Sequence, residues 1–117
     1  PEQYEAVSLD DFVEYSKSMF EYWTEDDFAS SFRKMLTIEQ FRSEEMQKLY
    51  QQYLVAGPAS YVKALFESIG IVNAKDKAAR FYAVMHFYYS LYDGAADKEK
   101  VKVEFVSAIK SLVQDLA

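Results

Sequence analysis

Cysteine is absent from the sequence. That excludes a disulfide framework and any thiolate metal site, and nothing marks the chain as secreted. Histidine occurs once, as His86. A single imidazole without a thiolate does not hold a transition metal by itself, and no HExxH-like spacing recruits carboxylates to it. The acidic runs Asp10-Asp11 and Glu25-Asp26-Asp27 lack the alternating ligands and glycine of a calcium loop. A Ser-His-acid triad would have only His86 as its base, and no nucleophile elbow is present. The glycines are too scattered for a phosphate loop. Adjacent carboxylates such as Glu44 and Glu45 fall on different sides of a helix. The chain is therefore read as a non-enzyme with no metal and no cofactor.

Glycine and proline are scarce, at 3 and 2 residues, so turn-forming material is short and long helices are favoured over a many-stranded fold. No apolar run approaches the roughly 18 residues of a membrane span, and no charged-then-apolar leader opens the chain. No membrane association is expected, and the expected location is the cytoplasm. Basic charge is also in deficit: 13 Lys and Arg face 19 Asp and Glu, for a net charge of −6. The first 27 residues hold nine acids against Lys17 alone. Proteins that grip nucleic acid cluster their cations. The nearest cluster, Lys98, Lys100 and Lys102, is diluted by Glu99 and Glu104. DNA binding by this chain itself is not expected.

What is present suits a globular all-α domain, with 50% hydrophobic and 27% charged residues. A single domain over residues 1–117 is expected. Leu9, Phe12, Val13, Ser16, Met19, Phe20 and Trp23 form one helical stripe, with Ser8 as cap and Asp10 and Asp11 in the first turn. Thr24 is expected to restart the pattern, and Phe28, Phe32, Met35 and Leu36 to face the core of a second helix that packs antiparallel to the first. Ser43 caps a third segment with Met46, Leu49, Tyr50 and Tyr53 on its apolar face. Gly57-Pro58 breaks it, because proline lacks the N–H and clashes with the Leu54 carbonyl. Val62, Leu65, Phe66 and Ile69 carry a fourth segment to Gly70. Asn73 is the expected cap of a fifth and Asp97 of a sixth.

The last two segments carry more apolar surface than one core needs. From 81 to 92 only His86 and Ser90 are neither apolar nor aromatic. The sixth segment has two stripes: Val101, Phe105, Ala108 and Leu112, then Val106, Ile109, Val113 and Leu116. Such helices suggest a homodimer in which two from each chain form a four-helix bundle. Phe81, Tyr88, Tyr92, Phe105, Ile109, Leu112 and Leu116 are the candidate interface residues.

The aromatic load is high, at 17% with 10 tyrosines. Leucine would pack a helical core as well without phenol hydroxyls to satisfy. Phe20, Trp23, Met35, Tyr50, Tyr82, Met85, His86 and Tyr89 are candidates to line a cavity for a small hydrophobic or aromatic ligand. Ordinary core packing accounts for such residues equally well.

One stretch, Phe32-Arg33-Lys34-Met35-Leu36-Thr37-Ile38-Glu39-Gln40-Phe41-Arg42-Ser43, resembles a segment of the C-terminal domains of TetR/AcrR-type regulators. So do Leu49-Tyr50, Val55-Ala56-Gly57-Pro58, Tyr61, Leu65-Phe66 and the run from Phe81-Tyr82-Ala83 to Tyr89-Ser90-Leu91-Tyr92-Asp93-Gly94. Val84 stands where many relatives carry proline, which predicts a straighter helix. The resemblance covers roughly residues 9–116. It implies a six-segment TetR C-terminal-domain-like bundle whose last two helices dimerise. It also implies a small hydrophobic inducer that shifts a pair of N-terminal helix-turn-helix domains and releases DNA. No helix-turn-helix pattern occurs in this sequence, which opens at Pro1, so a separated sensing and dimerising domain is expected, with DNA reached only through the missing part. The alternative is a stand-alone helical module that binds a partner helix or a lipid-like ligand. Gly57-Pro58 is the expected flexible point.

Overall fold

The computed structural model describes residues 9–116, so the Ser8 cap lies outside the described residues. Five helical rods follow one another, with no strand among the described residues. They are α1 (Leu9–Glu25), α2 (Asp27–Glu39), a third rod, α5 (Ala74–Gly94) and α6 (Lys98–Gln114). The third rod runs as α3 (Glu44–Tyr50), a π turn (Gln51–Val55) and α4 (Ala56–Ser68). The fold is thus all-helical, and the expected third and fourth segments are joined without a loop.

In α1, Phe12, Ser16, Phe20 and Thr24 face inward at intervals of four. The two buried hydroxyls donate to the carbonyls of Phe12 and Phe20, at 2.8 and 2.7 Å, so a polar atom in the stripe costs no unpaired group. Thr24 therefore ends α1 rather than opening α2. Asp26 is the cap, its side chain accepting from the Ala29 amide. The phase of α2 differs from the sequence expectation. Ala29, Arg33 and Leu36 are buried, while Phe28 is 75% and Met35 39% exposed. The physical reason is Arg33, whose buried ion pair sets the rotation of the helix.

Ser43 and Asp97 cap as expected, accepting from the amides of Met46 and Lys100. Asn73 sits at the start of α5 in left-handed geometry (φ 57°), but its side chain caps nothing. Gly70 (φ 82°) closes α4. Its amide reaches Glu67 and that of Ile71 reaches Phe66, which is the Schellman arrangement that favours glycine.

The core is a cluster of rings. Phe12, Phe20, Phe66, Phe81 and Phe105 are each 0–1% exposed. Phe20 stacks on Phe105 at 4.2 Å, and Phe12 meets Phe66 at 5.1 Å and Phe81 at 4.7 Å. α5 is unbroken over its 21 residues, in line with Val84 in place of proline. α6 returns against α1, where the Lys102 ammonium lies between Glu21 (3.1 Å) and Glu25 (2.7 Å). The hydrogen bond to Glu25, with that to Glu21, pushes the Lys102 pKa upward.

This packing sets the expected interface residues against the chain's own core. Phe81, Tyr92, Phe105, Ile109 and Leu116 are buried within the single chain, and Tyr88 and Leu112 are half-buried against its core. The large apolar side chains that α5 exposes are Phe87 (59% exposed) and Leu91 (41%).

Candidate ligand cavity

The Gly57-Pro58 pair shapes the cavity through the π turn before it. Pro58 offers no N–H to the Leu54 carbonyl. The π turn inserts an extra residue ahead of that point: the Ala56 amide reaches five residues back to Gln51, and Val55 leaves helical geometry (φ −134°, ψ −86°). Tyr82 of α5 donates its phenol hydrogen to the Leu54 carbonyl, satisfying the acceptor that proline leaves orphaned. Gly57 is required in the same place. A Cβ there would lie 1.8 Å from the Gln52 carbonyl oxygen, closer than any real contact. The expected break is therefore a π distortion, held by a hydrogen bond from the neighbouring helix.

Between this distortion, α1 and α5 lies a half-open cavity of about 250 Å³. Tyr15, Met19 and Trp23 line it from α1, and Gln52, Tyr53, Gly57, Pro58, Tyr61 and Val62 from the third rod. Phe81, Tyr82, Met85 and Tyr89 close it from α5. Seven of the thirteen lining residues are aromatic and none is charged. Burial pushes the Tyr82 and Tyr89 phenols above their ordinary range, because the site disfavours a charged group.

Of the eight candidate lining residues, the fold brings Trp23, Tyr82, Met85 and Tyr89 together around the cavity. Phe20 lies behind them, fully buried between Tyr89 and Phe105. Met35 is exposed on α2. Tyr50 and His86 pair with each other (Tyr50 Oη to His86 Nε2, 3.2 Å) and line a second groove with Ala79, Ala83 and Phe87, divided from the cavity by Tyr82. Burial, and secondarily the Arg33 charge, lowers the His86 pKa.

The sequence reading missed Tyr15, Met19, Gln52, Tyr53 and Tyr61 as wall residues. Tyr53 and Tyr61 stand either side of Gly57-Pro58, and that flanking was the available signal. It also missed Arg33, 5% exposed. Its guanidinium binds both carboxylate oxygens of Asp93 (2.9 and 2.7 Å) and the Trp23 carbonyl (3.0 Å). It also lies 5.1 Å from the centre of the Tyr89 ring, within cation–π range. The signal for it was a cation between Ala29 and Leu36 on what proves to be the inner face of α2. Arg33 thus ties α1, α2 and the end of α5 directly behind the cavity wall.

No family model, curated protein or solved structure matches the chain.

Proposed function

We propose that this chain is the effector-binding and dimerising domain of a TetR-like transcriptional repressor. The observation that carries the reading is the 250 Å³ aromatic cavity beside the Gly57-Pro58 π turn. It is a concave, largely apolar site with a few polar groups, the usual form of a small-ligand pocket. Two further features support it. Arg33 and Asp93, from two of the segments that resemble the family, pair across 60 residues of chain. The long α5–α6 hairpin also carries Phe87 and Leu91 outward, where a second copy would complete a four-helix bundle.

In this reading an effector that prefers one arrangement of α1, the π turn and α5 shifts the dimer toward it. DNA release then follows in a helix-turn-helix domain outside this chain. Sedimentation of the 117-residue chain at micromolar concentration tests the dimer. A dimer that dissociates in Phe87→Glu/Leu91→Glu is expected, and a monomer throughout overturns the dimerising half.

A second reading draws on α2. Phe28 (75%), Ile38 (66%) and, just past its end, Phe41 (84%) are the most exposed large apolar side chains on this side of the molecule. They suit a helical module that binds a partner helix or a lipid-like molecule with no role in transcription. Loss of a partner on Phe28→Ser/Ile38→Ser, with effector binding intact, would favour that reading.

A further inference from the structure

We infer that the cavity takes an uncharged aromatic molecule of one or two fused rings with a small polar group, and excludes carboxylates, ammonium groups and long acyl chains; this rests on the sensing reading above. Charge is the first discriminator. No wall residue is charged, and the cation that lies over the Tyr89 ring of the wall is already engaged. Arg33 has both terminal nitrogens on Asp93 and its Nε on the Trp23 carbonyl. An entering carboxylate finds the guanidinium occupied, and an entering ammonium finds Asp93 occupied. Either charge would be desolvated without a partner. The desolvation that disfavours charge on the Tyr82 and Tyr89 phenols acts on a ligand's charge in the same way.

Shape is the second. Indole and phenol walls with two thioethers, Met19 and Met85, favour the faces and edges of rings over flexible chains. An apolar cavity of roughly 150 Å³ accepts benzene, so about 250 Å³ leaves space for a second ring. Length is the third. Tyr82 is the one side chain common to this cavity and the groove lined by Tyr50 and His86. Its hydroxyl is fixed to the Leu54 carbonyl, so the passage a long acyl chain would need is closed. At the half-open mouth, Tyr53 (43% exposed) and Tyr61 (41%) stand with the Gln52 carboxamide. These are neutral groups suited to a hydroxyl or carbonyl on the ligand.

Calorimetric titration of the full chain with 2-naphthol, 2-naphthoate, 2-(aminomethyl)naphthalene and 1-decanol tests this. 2-Naphthol is expected to bind at least about tenfold more tightly than the other three, since each of them buries an unpaired charge or must pass the Tyr82 clasp. Met19→Trp, which fills the cavity from a half-buried position, should abolish the binding. Trp23 is the only tryptophan and lines the wall, so in the unmodified chain its indole N–H resonance should shift with 2-naphthol. That measurement stands whether or not the filled variant folds. Equal or tighter binding of the anion, the cation or decanol, with the same Trp23 shift, overturns the ligand class and leaves the site standing. No binding by any probe, or binding that leaves Trp23 unmoved, overturns the site and the sensing reading with it.

Discussion

Two regions of the same small molecule are built from aromatic residues and come out differently. Around Phe20 and Phe105 the rings stack at 4.2 Å and nothing is exposed. A few ångströms away, around Trp23, Tyr82 and Tyr89, a comparable set of rings leaves a 250 Å³ space. The filled region is centred on Phe20 and Phe105, rings with no polar atom that close up wherever geometry allows. Five of the seven rings on the wall of the open region are tyrosines, whose hydroxyl must reach a partner when buried. Tyr82 reaches the Leu54 carbonyl on the distorted rod, and that reach props the rod at a fixed place relative to α5. An aromatic-rich core thus holds a cavity where polar anchoring of the rings and a distorted backbone coincide.

The largest test of this contrast truncates one side chain in each region. Phe105→Ala, in the filled region, should cost about 3–5 kcal/mol by urea denaturation, because the space left is closed on all sides. Met19→Ala, on the wall of a cavity already open, should cost about 1 kcal/mol or less, since little new void is made. Equal losses at both sites would erase the distinction.

Next in size is the backbone that keeps the cavity open. Gly57→Ala places a methyl 1.8 Å from the Gln52 carbonyl oxygen. The rod has to shift, at a cost of about 1–3 kcal/mol. The affinity of any cavity ligand should fall together with the melting temperature. Unchanged affinity would mean that the π turn does not shape the site.

Tyr82→Phe keeps the ring and removes the anchor, leaving the Leu54 carbonyl buried without its donor. A loss of about 1–2 kcal/mol is expected. The same variant should relax the exclusion of long acyl chains, so decanol binding that stays as weak as in the parent would remove Tyr82 from the role of a barrier.

The smallest effect concerns pH. His86 is half-buried and its folded pKa lies below the usual 6.5. Between those two values the unfolded chain binds more protons than the folded one, so stability declines as pH falls below 6.5 and levels off below the folded value. In His86→Phe this slope should vanish while the cavity, which His86 does not line, keeps its ligand. A slope that persists in the variant would assign it to other groups.

Much of the fold was legible in the sequence because it depends on local rules. The inward stripe of α1, the caps at Ser43 and Asp97 and the Gly70 stop follow from periodicity, hydrogen-bonding side chains near helix starts and the conformational freedom of glycine. The phase of α2 was not legible. Its most apolar face, with Phe28 and Met35, points outward, because a buried pairing with Asp93, distant in sequence, sets which way the helix turns. Four of the eight candidate wall residues meet around the cavity. Phe20 packs into the filled core, Met35 turns outward with the rotation of α2, and Tyr50 pairs with His86; His86 lies on a helix with apolar residues on nearly every side, which gives no phase to read.

By itself, the sequence determined an all-helical chain without cysteine, with one histidine and with a discontinuity at Gly57-Pro58. These follow from composition and from preferences that act over a few residues. Tertiary structure alone decided that the discontinuity becomes a π turn, that Tyr82 satisfies its orphaned carbonyl, and that α5 and α6 bury within one chain the rings expected at a partner. The physical reason is that hydrogen bonds and ring contacts between distant segments choose among helix rotations that local preference leaves nearly equal in energy.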